Sequence, residues 1–168
     1  MTVTTEGTLS FDELVVSTER RLLRLGLMLT GGVHSAEDLV QTVFARAHRK
    51  WDRIQSLDNP EAYLRTMVVN EFLSWRRLLK NKELPVAEPV DLPSTEDIGA
   101  RQALQDAAWR LLATLPRQQR AVLVLRYYED LPDAEIAAVL GCAPGTVRSN
   151  AARGLETLRN TLPAEEER

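Results

Sequence analysis

Apolar residues recur along this chain at intervals of three and four, never with the strict alternation of a half-buried strand. From Phe11 the positions Phe11, Leu14, Val15, Leu22, Leu25 and Leu29 keep that interval until Gly31-Gly32 interrupts it. A glycine pair after the last periodic residue reads as a helix stop. Ser35, with Asp38 three residues on, reads as the capped start of a second helix. Its buried stripe is Leu39, Val43, Phe44 and Ala47. Asn59-Pro60 opens a third helix, Asn as cap and Pro in the first turn. This helix is expected to run to about Lys80, with Leu64, Val68, Phe72, Trp75 and Leu79 on its core face. The ten residues before Phe11 read as a loose tail.

The pattern lapses between Glu83 and Asp97. Pro85, Pro89 and Pro93 stand there among Glu83, Glu88, Asp91, Glu96 and Asp97. Such a stretch has little to bury and resists regular structure. Helical periodicity resumes by Arg101, with Ala103, Leu104, Ala107, Ala108, Leu111 and Leu112 as a stripe. Pro116 restarts the chain, and Val122, Leu123 and Leu125 face the core of the next helix. The expected fold is all-α: two small helical domains, residues 11–82 and 101–162, joined by an acidic, proline-containing linker at 83–100.

The segment Leu115–Arg159 carries the most specific pattern. A short helix over Ala134–Leu140 turns Ile136, Ala137 and Leu140 inward, and small Ala137 lets a neighbouring helix pass close. Gly141 supplies a left-handed turn that residues with a Cβ avoid. Pro144 suits the first turn of the following helix, whose inward positions are Val147, Ala151, Leu155 and Leu158. Two short helices about a glycine turn have the form of a helix-turn-helix, whose second helix enters the DNA major groove. The opposite face of that helix carries Ser149, Ala152 and Arg153, flanked by Thr146 and Arg148. Arginine forks onto guanine, Ser and Thr meet phosphates or base edges, and an alanine methyl fits against thymine. A helical hairpin with solvated arginines would show part of the same pattern, without need of the glycine turn or the small crossing residue.

Composition complicates a simple DNA-binding reading. Net charge is −3 over 168 residues, with 27% charged and 44% hydrophobic positions. Those fractions describe a globular chain, yet non-specific DNA affinity rests on neutralised phosphates. An acidic DNA reader therefore needs a local basic patch or a larger partner. One such patch lies at the end of the third helix. From Asn59 to Lys82 the basic residues Arg65, Arg76, Arg77, Lys80 and Lys82 face only Glu61 and Glu71. A basic helix end also complements the helix dipole. On the face opposite the core stripe lie Tyr63, Thr66, Asn70, Leu73, Ser74 and Arg77. An amide such as Asn70 both donates and accepts, so it suits a base edge, although a solvated mid-helix Asn is the plainer reading of geometry alone. Trp75 could stack on a base, but its spacing puts it in the core first.

The other chemistry is sparse. Cys142 is the single cysteine, so no internal disulfide and no paired-cysteine metal site is expected. In its turn it reads as a small buried filler rather than a thiol switch. His34, placed in a turn, and His48, near a helix end, have no ligand or catalytic constellation around them. No enzyme activity, cofactor or metal is expected. The start of the chain lacks the basic and apolar regions of a secretory signal. The apolar run Leu22–Leu29 is too short for a bilayer and holds Arg24. The cytoplasm is the expected location, without membrane insertion.

The motifs LPRQQRAVLVLRYYEDL and AEIAAVLGCAPGTVRS together resemble region 4 of the extracytoplasmic-function (ECF) sigma factors of bacterial RNA polymerase, actinobacterial members especially. SAEDLVQTVFARAHRKW and NPEAYLRTMVVNEFLSWRR resemble region 2 of the same family independently. The resemblance spans roughly Phe11–Leu162. It implies a transcription factor that binds core RNA polymerase through the β′ clamp and β flap. The first domain would read and melt the promoter −10 element, and the second would read the −35 element.

By that resemblance, Asn70 holds an unstacked −10 base, with Tyr63, Thr66, Leu73, Arg76, Arg77 and Lys80 around it. An extruded base needs such contacts to offset unstacking. Thr146, Arg148, Ser149, Ala152 and Arg153 contact the −35 element. Asp38, Gln41 and Thr42, off the buried stripe of the second helix, meet the β′ clamp. The acidic linker would pass through the polymerase channel that later holds RNA, though a solvated tether explains its composition equally. An anti-sigma factor is an implied further partner. The alternative is a stand-alone helix-turn-helix regulator with a dimerising first domain. Three positions depart from the family pattern. Asn150 stands where a basic residue is common, Ala143 where the recognition helix usually has a Ser or Thr cap, and Pro132 where a serine is frequent.

Overall fold

The computed structural model describes residues 7–79 and 107–162, with the side chains of 76–79 left aside. Helix α1 spans Phe11–Thr30 and α2 Val33–Arg49. A short α3, Trp51–Ile54, leads to α4, Pro60–Leu79. The described part of α5 covers residues 107–113. Helix α6, Arg117–Leu123, continues into a wider π turn over Val124–Tyr128. Helices α7, Asp133–Leu140, and α8, Pro144–Thr161, complete the chain. No strand occurs among the described residues.

The helix ends follow local chemistry. Ser10 and Glu13 form a reciprocal capping box, Glu13 N–H donating to Ser10 Oγ and Ser10 N–H to the Glu13 carboxylate. Ser10 thus belongs to the helix start rather than to a loose tail. The Asn59 side chain accepts from the Ala62 N–H at 3.0 Å, as its cap role requires. Ser35 does not start α2. Gly31 ends α1 in the left-handed region at φ 77°, and Gly32 returns to extended backbone as the cap of α2. Two glycines reverse the chain so tightly that α2 begins at Val33, which leaves Ser35, His34 and Asp38 inside the helix. His34 therefore lies in no turn. His48 occupies the last turn of α2 and packs edge-on against the Phe11 ring.

Helices α1, α2 and α4 pack around Leu25, Leu29, Leu39, Val43, Leu64 and Val68, all essentially fully buried. Burying a leucine or valine contributes about 1.5–3 kcal/mol, so this stripe-on-stripe packing drives the first half together. Glu71 is buried within α4, and Arg46 from α2 pairs with it. In the second half α8 packs on α6 and α7 through Val147, Ala151 and Gly154. A Cβ on Gly154 would lie 3.0 Å from the Leu123 side chain, so glycine lets these helices cross without Leu123 having to shift. The expected stripe of α5 is rotated in the structure. Ala107 and Ala108 are exposed, while Trp109, Leu111 and Leu112 are half-buried. Ala103 and Leu104 lie outside the described residues, as does the 83–100 segment.

The two halves pack against each other. Helix α4 meets α7, and α1 meets α6 and the π turn. The Trp109 ring lies over Gly31, where a Cβ would sit 1.5 Å from it. Arg120 Nη1 donates to the Leu29 carbonyl at 2.7 Å. Arg117 lies over the Phe72 ring and donates to the Phe72 carbonyl at 3.1 Å. Arg65 and Glu129 approach to 3.7 Å. Val69, off the expected core stripe, is fully buried on the same flank of α4 as Arg65 and Phe72.

Candidate nucleic-acid interface

Helix α8 owes its position to the turn before it. Gly141 adopts φ 65°, and the Cys142 N–H donates to the Ala137 carbonyl at 3.1 Å. Ile136 and Ala137 are buried, Leu140 half-buried. Cys142 is half-buried against the core, as a filler. Ala143 has the extended backbone of a cap (φ −76°, ψ 149°) but no side chain to accept from the first turn. Pro132 likewise precedes α7 without a side-chain cap. Arg126 from the π turn supplies another restraint there by pairing with Asp133 in the first turn of α7. That bond raises the Arg126 pKa from its ordinary value.

With Val147 and Ala151 buried and Leu155 and Leu158 half-buried, the outer face of α8 is free. Thr146, Arg148, Ser149, Ala152 and Arg153 are all exposed there, and Asn150 is half-buried at the edge. Exposed Glu156 follows on the same face. A carboxylate repels phosphate, so Glu156 disfavours an anion at its own position on this face. Helical periodicity gave no reason to single it out.

Helix α4 presents a second face. Asn70 is exposed; Tyr63, Thr66 and Leu73 are half-buried, and Tyr63 and Leu73 rest partly on the core. The Thr66 hydroxyl is turned back onto the Ala62 carbonyl at 3.1 Å. Leu64, Val68 and Phe72 are buried as expected, and Trp75 is half-buried against the core. The basic patch differs from its sequence reading. Glu61 is paired with Arg21 at 2.8 Å, Glu71 with Arg46, and Arg65 faces Glu129. The patch thus falls to Arg76, Arg77, Lys80 and Lys82, whose side chains lie outside the described residues.

On α2, Asp38 and Gln41 are exposed and Thr42 is half-buried, its hydroxyl donating to the Asp38 carbonyl at 2.8 Å. The three share the outer side of the helix, away from Leu39 and Val43. In the second half an apolar groove of about 330 Å³ runs between Leu112, Val124, Tyr127, Leu155 and Leu158, with Met28 from α1 at its edge. The π turn leaves Tyr127 and Tyr128 exposed beside it. Burial raises the Tyr128 pKa. Among the described residues no group of three His, Cys, Asp or Glu is placed to hold a metal ion. No described helix is long and apolar enough to cross a membrane.

Comparison with known proteins places these two faces in a family. Residues 14–81 match the model described as Sigma-70 region 2, and residues 105–158 the model described as Sigma-70, region 4. The RNA polymerase sigma-E factor of Streptomyces coelicolor is 36% identical over 159 residues, covering 93% of this chain and 88% of that protein. The ECF RNA polymerase sigma factor SigE of Mycolicibacterium smegmatis is 36% identical over 161 residues, 91% of this chain and 62% of that protein. Among solved structures, the sigma factor RpoE in complex with the anti-sigma factor NepR from Bartonella quintana aligns with TM-score 0.67 at 26% identity. That alignment covers 93% of this chain and 98% of the other. The chain belongs to the sigma-70 family as an RNA polymerase sigma factor of the ECF type, a factor that directs promoter-specific transcription.

Proposed function

We propose that the chain reads a promoter at two points as a dissociable subunit of core RNA polymerase. The two units are residues 11–82 and 101–162, with 83–100 as the tether. Asn70, with Tyr63, Thr66, Leu73, Arg76, Arg77 and Lys80, holds the −10 strand. Thr146, Arg148, Ser149, Ala152 and Arg153 read the −35 element. Asp38, Gln41 and Thr42 dock on the β′ clamp, and the apolar groove beside Tyr127 suits the β flap. Catalysis stays with the polymerase, and the factor works in the cytoplasm. An anti-sigma factor is the proposed regulator, since a relative is known in such a complex.

The observation that carries this reading is the exposure of Asn70 together with all five α8 residues, on helices whose opposite faces are locked in the core. The net charge of −3 supports a shared load. A reader this acidic gains phosphate affinity chiefly through its polymerase partner. The test is to measure binding of the chain to core polymerase and to DNA separately. Tight core binding with weak free DNA binding is expected. A dimer that shifts palindromic DNA unaided would instead establish a stand-alone regulator.

A further inference from the structure

The corner that joins α6 to the helix-turn-helix is held against its backbone preference. The Glu129 N–H closes the π turn on the Val124 carbonyl at 3.1 Å, and the Leu131 N–H reaches back to the Leu125 carbonyl at 3.0 Å. Between them Asp130 takes φ 56°, the one left-handed residue with a Cβ among the described residues. That region disfavours a Cβ, although aspartate tolerates it better than most. Pro132 follows, with no N–H to donate and no side chain to cap α7. A conformation of this kind persists only where neighbouring contacts enforce it.

One side-chain contact spans the corner. Arg126, inside the π turn, turns Nε and Nη2 onto the same carboxylate oxygen of Asp133, Nε at 3.1 Å. The two side chains are 25% and 27% exposed, so salt screens the pair only partly. Asp133 opens the first turn of α7, where a carboxylate also meets the positive end of the helix dipole. The pair thus braces a residue before the corner against the first residue of the helix after it, in place of the cap that Pro132 cannot provide.

What the brace positions follows from the packing beyond it. Gly154 seats the C-terminal half of α8 on Leu123 of α6. Thr146, Arg148 and Ser149 lie N-terminal to that crossing, on the stretch whose inner face is Val147 and Ala151. That stretch is supported by α7, which packs on α8 and buries Ile136 and Ala137. Helix α7 also meets α4 across the seam between the two halves, but its covalent tie to α6 is the corner alone. A tilt of about 10° about the Gly154 crossing would move Arg148, about 9 Å along the helix, by about 1.5 Å. Such a shift breaks a bidentate contact with a base edge.

The geometry points to Arg126 and Asp133 as positioning residues for −35 reading. They touch no base and act through α7 on the N-terminal half of α8. This inference deepens the two-point reading above and rests on it.

The test uses the full chain with bacterial core polymerase on duplexes already opened at −10 and randomised over the −35 region. Sequencing the templates that yield transcripts gives the enrichment of each preferred −35 base. A bidentate base contact discriminates by about 5- to 150-fold. Arg126→Met should therefore lower the wild-type enrichment about fivefold or more, and Asp133→Asn should do the same. The double variant should lose no more than about twofold beyond either single change, because partners in one contact are not additive. Arg126→Lys, which keeps the charge but not the fork, should fall between wild type and Arg126→Met. Reduced stability alone would lower the transcript yield and leave the enrichment unchanged, since the folded fraction still reads the same bases. Unchanged enrichment in Arg126→Met, with yield falling equally on all sequences, would make Arg126 a phosphate contact or a support of the fold and overturn the proposal. So would a loss in Arg126→Met that Asp133→Asn does not copy. A wild type with no −35 preference would contradict the two-point reading itself, whereas a wild-type preference that both variants keep contradicts the brace alone.

Discussion

Arg120 and Leu29, ninety-one positions apart, share a hydrogen bond of 2.7 Å. The Leu29 carbonyl belongs to the last turn of α1, where helix carbonyls lack internal partners. No basic residue of α1 stands in that turn, so Arg120 brings the cation that the dipole favours there. The same guanidinium also donates to the carbonyls of Leu112, Ala113 and Leu115. One side chain closes the turn before α6 and joins it to the first half. Burial lowers the Arg120 pKa, and neighbouring Arg117 lowers it further.

Arg120→Ala should lower unfolding free energy by about 3 kcal/mol, since it strands several buried carbonyls at once. Arg120→Lys should recover less than half, because an ammonium lacks the planar fork that reaches four acceptors. Urea titrations of the three proteins measure both. A loss below 1 kcal/mol for the alanine variant would show that water replaces the fork.

Gly31→Ala faces two obstacles. A left-handed backbone costs a residue with a Cβ about 1–2 kcal/mol, and the methyl would collide with Trp109. The second cost should vanish in a Trp109→Ala background. A double-mutant cycle should therefore show coupling above 1 kcal/mol, within the range for residues in contact. Additive effects would place Trp109 elsewhere in solution.

Glu129, where the two halves meet, gives stability a pH dependence. Burial raises its pKa above the ordinary 4.5, and only partly does Arg65 oppose this. The folded protein thus holds the Glu129 proton more tightly than the unfolded chain. The Glu129 contribution to stability is greatest at acid pH and falls as pH climbs from 4.5 through the raised value. Glu129→Gln should remove that component. Unfolding free energies of wild type and variant, compared pH by pH, should converge toward acid and separate, the variant gaining, toward neutral. A separation of opposite sign would mean that the Arg65 pair outweighs burial.

Ala143→Ser should stabilise the protein. Ala143 already has cap backbone, so a hydroxyl there can accept from the first turn of α8 at a gain of about 1 kcal/mol. Urea denaturation reads this directly. No gain would mean that water already caps those N–H groups.

Much of this fold is legible where the chain carries end chemistry. Asn59-Pro60, Gly31 and Gly141 mark boundaries because each fulfils a backbone requirement that few residues meet. Ser35 misleads because the two glycines before it already reverse the chain, leaving no loop for a serine to cap. The α8 face follows from periodicity, since Val147 and Ala151 fix which side is inward. The seam does not. Val69 lies off the periodic stripe of α4 and is nonetheless fully buried, on the flank it shares with Arg65 and Phe72. Trp109 and Arg120 have no local pattern that points to Gly31 or Leu29. Long-range pairing leaves no trace in helical spacing, and for the same reason the Arg65–Glu129 and Arg46–Glu71 pairs redraw the basic patch.

The two proposed readers separate by template. Asn70→Ala should reduce initiation on duplex promoters at least tenfold and much less on a template already opened at −10, where no base need be unstacked. Arg148→Ala and Arg153→Ala should cost about 1–3 kcal/mol each if they read bases, on either template. Equal losses for Asn70→Ala on both templates would remove it from melting.

Promoter selection is tested most directly by adding the protein to bacterial core polymerase on genomic DNA and sequencing the 5′ ends of the transcripts. New start sites that share two upstream elements are expected, lost with Asn70→Ala and redistributed with Arg148→Ala. No binding to core and no new starts would contradict the assignment of this chain as a promoter-reading sigma factor.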